Sequence, residues 1–280
     1  MINSHKIRRP KAAFTLTEII VATTIAGILG TIVMSFFIFN LRSAFHGEQK
    51  LLINGDIRDL TNEMLRNARA SNYSLLYRSF YAQNSSTNMP VARGPVGGGA
   101  ATTADRVAAG QAGDFLVLVF TENNTVYDSR FYDADPANDP TLATRVTRIV
   151  GYWTAPNRKA GRSGETALYS FDSDQTKPAT VLPASTWVTP WGATFPVTIT
   201  GALAIESLLP PATAVAAINT AYTELILNDI EGRAVEGTLQ TGLNFLNFAN
   251  RSIVVQTRVV HGNRAKRVTN TYNFSITPRG

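Results

Sequence analysis

From Ile19 to Leu41 the chain runs 23 residues without a charged side chain. About 20 apolar residues suffice for a helix to cross a bilayer, so this run predicts a membrane-spanning helix. The pattern then changes. Ile53, Ile57, Leu60, Met64 and Ala68 recur at intervals of four, three, four and four residues. That spacing puts them on one face of an amphipathic helix. Arg58, Asp59, Asn62, Glu63, Arg66 and Asn67 fall off the stripe. A single helix from about Phe14 to Ala70 would be roughly 85 Å long at about 1.5 Å per residue. The stripe on its second half needs a sheet to cover it.

The rest of the chain supplies strands. Residues 84–113 are rich in Gly, Ala, Ser, Thr and Asn and predict a flexible loop. Beyond them "DFLVLVF" is a short apolar run suited to a buried strand, while "TRVTRIVGYWT" and "TALYSFD" alternate. "NNTVYDSRFY" reads as a further strand behind the turn signal "ENN". The proline-dense stretch 178–212 predicts an irregular excursion around "PVTITGALAI". Strands resume with "TELILND", "GLNFLNF", "RSIVVQTRVV" and "RVTNTYNFSIT", the last two joined by a hairpin turn at "HGNRAK". The fold class expected is therefore α+β: one long N-terminal helix packed on a large antiparallel sheet, in one layer or two.

Charge and composition sharpen this picture. The formal net charge is +6, and Lys6, Arg8, Arg9 and Lys11 supply +4 of it within the first 13 residues. A basic cluster just ahead of an apolar helix keeps the N-terminus cytoplasmic. The remaining excess is small, and no nucleic-acid partner is expected. There is no cysteine, which removes disulfides, thiol nucleophiles and cysteine zinc sites.

The N-terminus is not that of an ordinary secretory signal. Such a signal has an apolar region followed by small residues at a cleavage site. In "KAAFTLTEIIVATTIAGILG" the small residues Ala12 and Ala13 come first, and a lone glutamate, Glu18, sits at the edge of the apolar run. This stretch resembles the N-terminus of type IV prepilins and type II secretion pseudopilins. The resemblance implies cleavage between Ala13 and Phe14 by a membrane-embedded prepilin peptidase, followed by N-methylation of Phe14. It implies a pilin-like fold for the whole. It also implies a role in assembly for Glu18, whose carboxylate would pair with the new amine of Phe14, in its own chain or in a neighbouring subunit. One departure is that Ala13 stands where the family usually has glycine. Independently of the resemblance, an unpaired carboxylate in hydrocarbon is costly, so a partner is required.

Within the apolar helix, Ala22, Ala26 and Gly30 recur every four residues and form a small-residue face for close helix packing. Gly27 and Gly30 each lower helicity by about 1 kcal/mol relative to alanine and mark the expected point of local melting. The organisation implied is a leader (1–13), a transmembrane and filament-core helix (14–41), an amphipathic extension (42–83), the flexible loop (84–113) and a β-rich periplasmic domain (114–280). Long β-rich C-terminal regions resemble minor subunits, of the J-type pseudopilin or W-type pilin kind. The K-type minor pseudopilin typically lacks the glutamate.

Other chemistry is sparse. His5, His46 and His261 suggest no triad or paired-histidine metal motif. Asp133, Asp135 and Asp139 in "DADPANDP" are the single ligand-like cluster, a candidate for calcium, although Asp-Pro pairs also form ordinary turns. Trp153 is expected in the core, and Trp187 and Trp191 are candidates for exposed rings that stack on carbohydrate. The expectation is a non-enzymatic subunit without cofactor. It would be a minor pseudopilin of a type II secretion system, or alternatively a minor pilin for adhesion, motility or DNA uptake. It would enter the bacterial inner membrane with its C-terminal domain in the periplasm. Its partners would be prepilin peptidase, other pilin-like subunits, membrane lipid and an assembly platform with its ATPase. The rival of another class is an uncut, membrane-anchored periplasmic binding protein or enzyme.

Overall fold

A computed structural model gives the structure of residues 15–77, 81–82, 106–107, 110–122, 144–156, 165–182, 185–199, 205–211, 213–214, 220–235, 238–249, 252–261 and 267–278. The layout is α+β. Helix α1 covers Leu16–Ala70. The chain divides into two compact units, Met1–Gln49 and Lys50–Gly280. In the first unit every residue from Thr15 to Ala44 is exposed.

The second unit contains the rest of α1 and all the strands. The helix ends where Ser71 and Asn72 leave it. The Ser71 hydroxyl donates to the Ala68 carbonyl at 2.8 Å, and Asn72 Oδ1 accepts from the Thr121 amide at 2.8 Å. The following "YSLLY", included in the helical extension by the sequence reading, is instead strand β1 (Tyr73–Tyr77). Both of its faces are buried, so its side chains follow the period of a strand between two layers.

The remaining strands are β2 (Tyr81–Ala82), β3 (Ala112–Gly113), β4 (Phe115–Thr121), β5 (Thr144–Pro156) and β6 (Glu165–Asp172). They continue with β7 (Trp187–Val188), β8 (Thr194–Phe195), β9 (Val197–Ile199) and β10 (Thr213–Ala214). The last group is β11 (Thr223–Val235), β12 (Thr238–Thr241), β13 (Leu243–Ala249), β14 (Ser252–His261) and β15 (Val268–Ile276). Eleven strands form one sheet in the order β1-β4-β5-β6-β11-β14-β13-β3, with β9 on β5, β12 on β11 and β15 on β14. All its pairings are antiparallel. β14 and β15 pair from Ile253↔Ile276 to His261↔Val268, the hairpin expected from the sequence. The segment read as a loop up to residue 113 ends inside the sheet. Ala112–Gly113 pairs with Phe245 and Leu246 of β13, and Val107 is buried.

Two cores lie on opposite faces of the sheet. On one face, Ile53, Ile57, Leu60, Met64 and Ala68 of α1 pack with Leu116, Leu118, Val150, Tyr152, Leu168, Phe245 and Val255. The four larger side chains of that stripe are at most 4% exposed. At about 1.5–3 kcal/mol each, their burial is worth roughly 6–12 kcal/mol as an upper bound. The other core is aromatic and includes Tyr77, Phe115, Trp153, Tyr169 and Phe171. The proline-dense excursion covers it with Trp187, Phe195, Ile205 and Leu208. Strand β4 lies between the two cores and is buried along its whole length, which is why its sequence is an unbroken apolar run.

Candidate functional site

Ala13 and Phe14 lie outside the described residues, as do Asp133, Asp135 and Asp139. The described part of the N-terminal site begins at Thr15. The Thr15 amide donates to Glu18 Oε2 at 2.8 Å, and its hydroxyl donates to the same oxygen at 2.9 Å. The Glu18 amide donates back to Thr15 Oγ1 at 3.3 Å. This is a reciprocal capping box, in which a threonine cap and a glutamate three residues later satisfy backbone donors at the first turn. Glu18 stands out in the sequence as a lone carboxylate, whereas Thr15 does not. The signal was present in "TLTE" as the spacing T-x-x-E. Both bonds to the carboxylate fall on Oε2, so among the described residues Oε1 accepts none.

Helix α1 continues unbroken through Gly27 and Gly30. A methyl group built at either position meets nothing within 4 Å. Ala22 and Ala26 are exposed, as is Gly30. The hydroxyls of Thr23, Thr24, Thr31 and Ser35 donate to carbonyls three or four residues back, at 2.7–2.9 Å. Those hydroxyls are satisfied within the helix and present no unpaired donor to hydrocarbon. By length and composition the helix can cross a membrane.

Several polar groups of the sheet unit are held in pairs. Arg106 grips Glu206 with two bonds, Nε to Oε1 at 2.7 Å and Nη2 to Oε2 at 3.1 Å. The Tyr77 hydroxyl donates to Glu206 Oε1 at 2.9 Å. Burial and the adjacent Glu206 charge push the Tyr77 hydroxyl well above the ordinary tyrosine range, so it stays a neutral donor. Under the helix, the Tyr152 hydroxyl donates to Glu63 Oε1 at 3.1 Å and accepts from Asn67 Nδ2 at 2.6 Å. Arg148 holds Asp172, with Nε to Oδ1 at 2.9 Å.

His261, read from the sequence as part of a turn, is the last residue of β14, and its Nε2 lies 2.7 Å from Asp56 Oδ2 on α1. Trp153 is in the core, as expected. Trp187 is also buried, with its indole N–H donated to the Ser173 carbonyl at 3.2 Å. Trp191 is half-buried, donates to the Leu208 carbonyl at 2.9 Å and meets the Tyr222 ring edge-on. The rings considered for carbohydrate therefore hold the excursion on the aromatic core instead. Among the described residues no three His, Cys, Asp or Glu side chains converge to hold a metal ion. No family model, curated protein or solved structure matches the chain.

Proposed function

We propose that this chain is a pilin-like assembly subunit, a minor pseudopilin by preference. It is cut between Ala13 and Phe14, N-methylated at Phe14, held in the inner membrane by the first half of α1 and then incorporated into a filament. The observation that carries this reading is the division of labour along one helix. The apolar residues from Leu16 to Leu41 are exposed around the whole circumference, while the stripe from Ile53 to Ala68 is buried against a sheet. An all-round apolar surface needs an outside cover, either lipid or other helices. Ala22, Ala26 and Gly30 allow neighbouring helices to come close.

The geometry at Glu18 supports the assembly role. Thr15 holds one carboxylate oxygen at the start of the helix, and Oε1, which accepts no bond among the described residues, can receive a cation such as the amine of Phe14 in its own chain or a neighbouring subunit. In this reading the peptidase, other pilin-like subunits and the assembly platform with its ATPase are the partners, and the subunit performs no catalysis.

The test is mass spectrometry of the N-terminal peptide from membranes of the native host. An N-methylated peptide beginning at Phe14 is expected. A peptide still beginning at or near Met1, in cells with active peptidase, would mean a static anchor and would overturn the proposal.

A further inference from the structure

The interface between α1 and the sheet contains a line of polar groups that its apolar surroundings do not require. Glu63 and Asn67 stand one helical turn apart on α1. They meet the Tyr152 hydroxyl of β5, which bonds to both, at 3.1 Å and 2.6 Å. Asn67 Oδ1 lies 3.5 Å from Arg148 Nη2, and Arg148 is the bidentate partner of Asp172 on β6. The Arg148 guanidinium also lies 4.7 Å over the Phe120 ring. The line thus joins one helix to two strands beside a core of Leu60, Met64, Leu116, Leu118 and Val150. Asn67 and Asp172 are buried, and Glu63 is half-buried.

We propose that Glu63 and the chain of polar groups it joins form a proton-operated latch, which fastens the C-terminal part of α1 to the sheet more tightly when Glu63 is neutral. The charges around Glu63 explain the direction. Arg66 on its own helix and the bond from Tyr152 favour the carboxylate. Burial, the largest influence, opposes it, together with Glu224 on β11 and Asp172 on β6. Arg148 on β5 is committed to Asp172, with Asp174 nearby in the turn after β6. The balance lifts the Glu63 carboxyl above its ordinary value. Tyr152 itself is pushed far above the tyrosine range, first by burial and then by Glu63, so it is a neutral donor at every pH considered.

The sign follows from linkage. A carboxyl whose folded value is raised binds its proton more tightly in the folded state, so its contribution is fully present below the unfolded value and is lost as pH rises through the folded one. Protonation keeps the Tyr152 bond, because the carbonyl oxygen of a neutral carboxyl still accepts. It removes a half-buried charge that faces two other carboxylates.

Glu63 lies beyond the apolar run, so the proposal holds whether or not the chain is cut before Phe14. The experiment is hydrogen exchange of the α1 amides 57–70 in the full-length chain in detergent micelles, corrected for intrinsic exchange rates, at about pH 7 and about pH 5. Wild-type protection is expected to rise on acidification. Glu63→Gln is expected to be better protected than wild type at about pH 7 by the same factor, and to lose the pH dependence. Tyr152→Phe, which strips the charged carboxylate of its donor, is expected to enlarge the dependence. A flat wild-type profile, or a Glu63→Gln chain that keeps the wild-type dependence, would overturn the latch.

Discussion

Gly151 sits in the middle of β5, where a glycine ordinarily weakens a strand. Its neighbour explains it. A Cβ built at Gly151 would lie 2.2 Å from Cε1 and 2.3 Å from Cζ of Phe171, the residue directly opposite on β6. The Phe171 ring lies over the glycine and is 1% exposed. It cannot retreat, because Phe115, Trp153 and Trp191 surround it with ring centroids 6.2, 5.8 and 5.7 Å away. Gly151→Ala should therefore act as an overpacking substitution costing about 1–3 kcal/mol. Phe171→Leu alone should cost by leaving a void. The two together should cost less than their sum, since the smaller side chain gives the methyl room, with a coupling of about 1 kcal/mol or more. Urea unfolding of the full-length chain in detergent, followed by tryptophan fluorescence, measures all four corners of the cycle. A Gly151→Ala change within about 0.5 kcal/mol of wild type, or strictly additive costs, would refute the claim that the ring dictates the glycine.

Three further outcomes are expected. Glu206→Gln removes the charge that the largely buried Arg106 grips with two bonds and should destabilise the sheet unit by about 3 kcal/mol, read in the same urea unfolding. Glu18→Ala should insert into the membrane as wild type does but fail to enter filaments, read by fractionation and sheared-filament blots; normal incorporation would remove the role assigned to the carboxylate. Met64→Ala, at a fully buried position of the α1 stripe, should cost about 2–5 kcal/mol of domain stability while leaving membrane insertion unchanged, which separates the two uses of the helix.

Periodicity made the skeleton legible. The α1 stripe from Ile53 to Ala68 was readable because every member points at one sheet, and all five are buried. The unbroken run at β4 was readable because both of its faces are covered. What escaped depended on neighbours remote in sequence. Asn67 lies off the apolar stripe and reads as solvent-facing, yet it is buried because Tyr152, on a strand far along the chain, offers it a partner. "YSLLY" carries no alternation that sets it apart from an apolar helix end, and it becomes β1 by pairing with the remote β4, from Tyr73↔Val119 to Tyr77↔Phe115, once Ser71 and Asn72 have ended the helix. β3 is an Ala-Gly pair with no strand propensity of its own. Its glycine is fixed by the Tyr77 carbonyl, 2.1 Å from where a Cβ would stand. The role of Trp187 and Trp191 could not be read locally either, since proline-dense composition marks irregular backbone but does not say which surface it will cover.

The two parts of α1 satisfy the same physical demand by different means. From Ile53 onward the helix is amphipathic, and the sheet of its own chain removes the apolar side from water. From Leu16 to Leu41 apolar residues occupy all sides, so a single sheet face would leave most of them wet. Such a surface is stable only where cover comes from every direction, as in a bilayer or in the middle of a helical bundle. Moving between those two environments changes the cover but not its chemistry, provided polar groups carry their partners with them. The four hydroxyls from Thr23 to Ser35 do so, being bonded to their own backbone. Glu18 does so in part, with one oxygen held by Thr15. Its other oxygen accepts no bond among the described residues, so its satisfaction depends on what stands next to it, and there a lipid headgroup region and a packed helix would act differently.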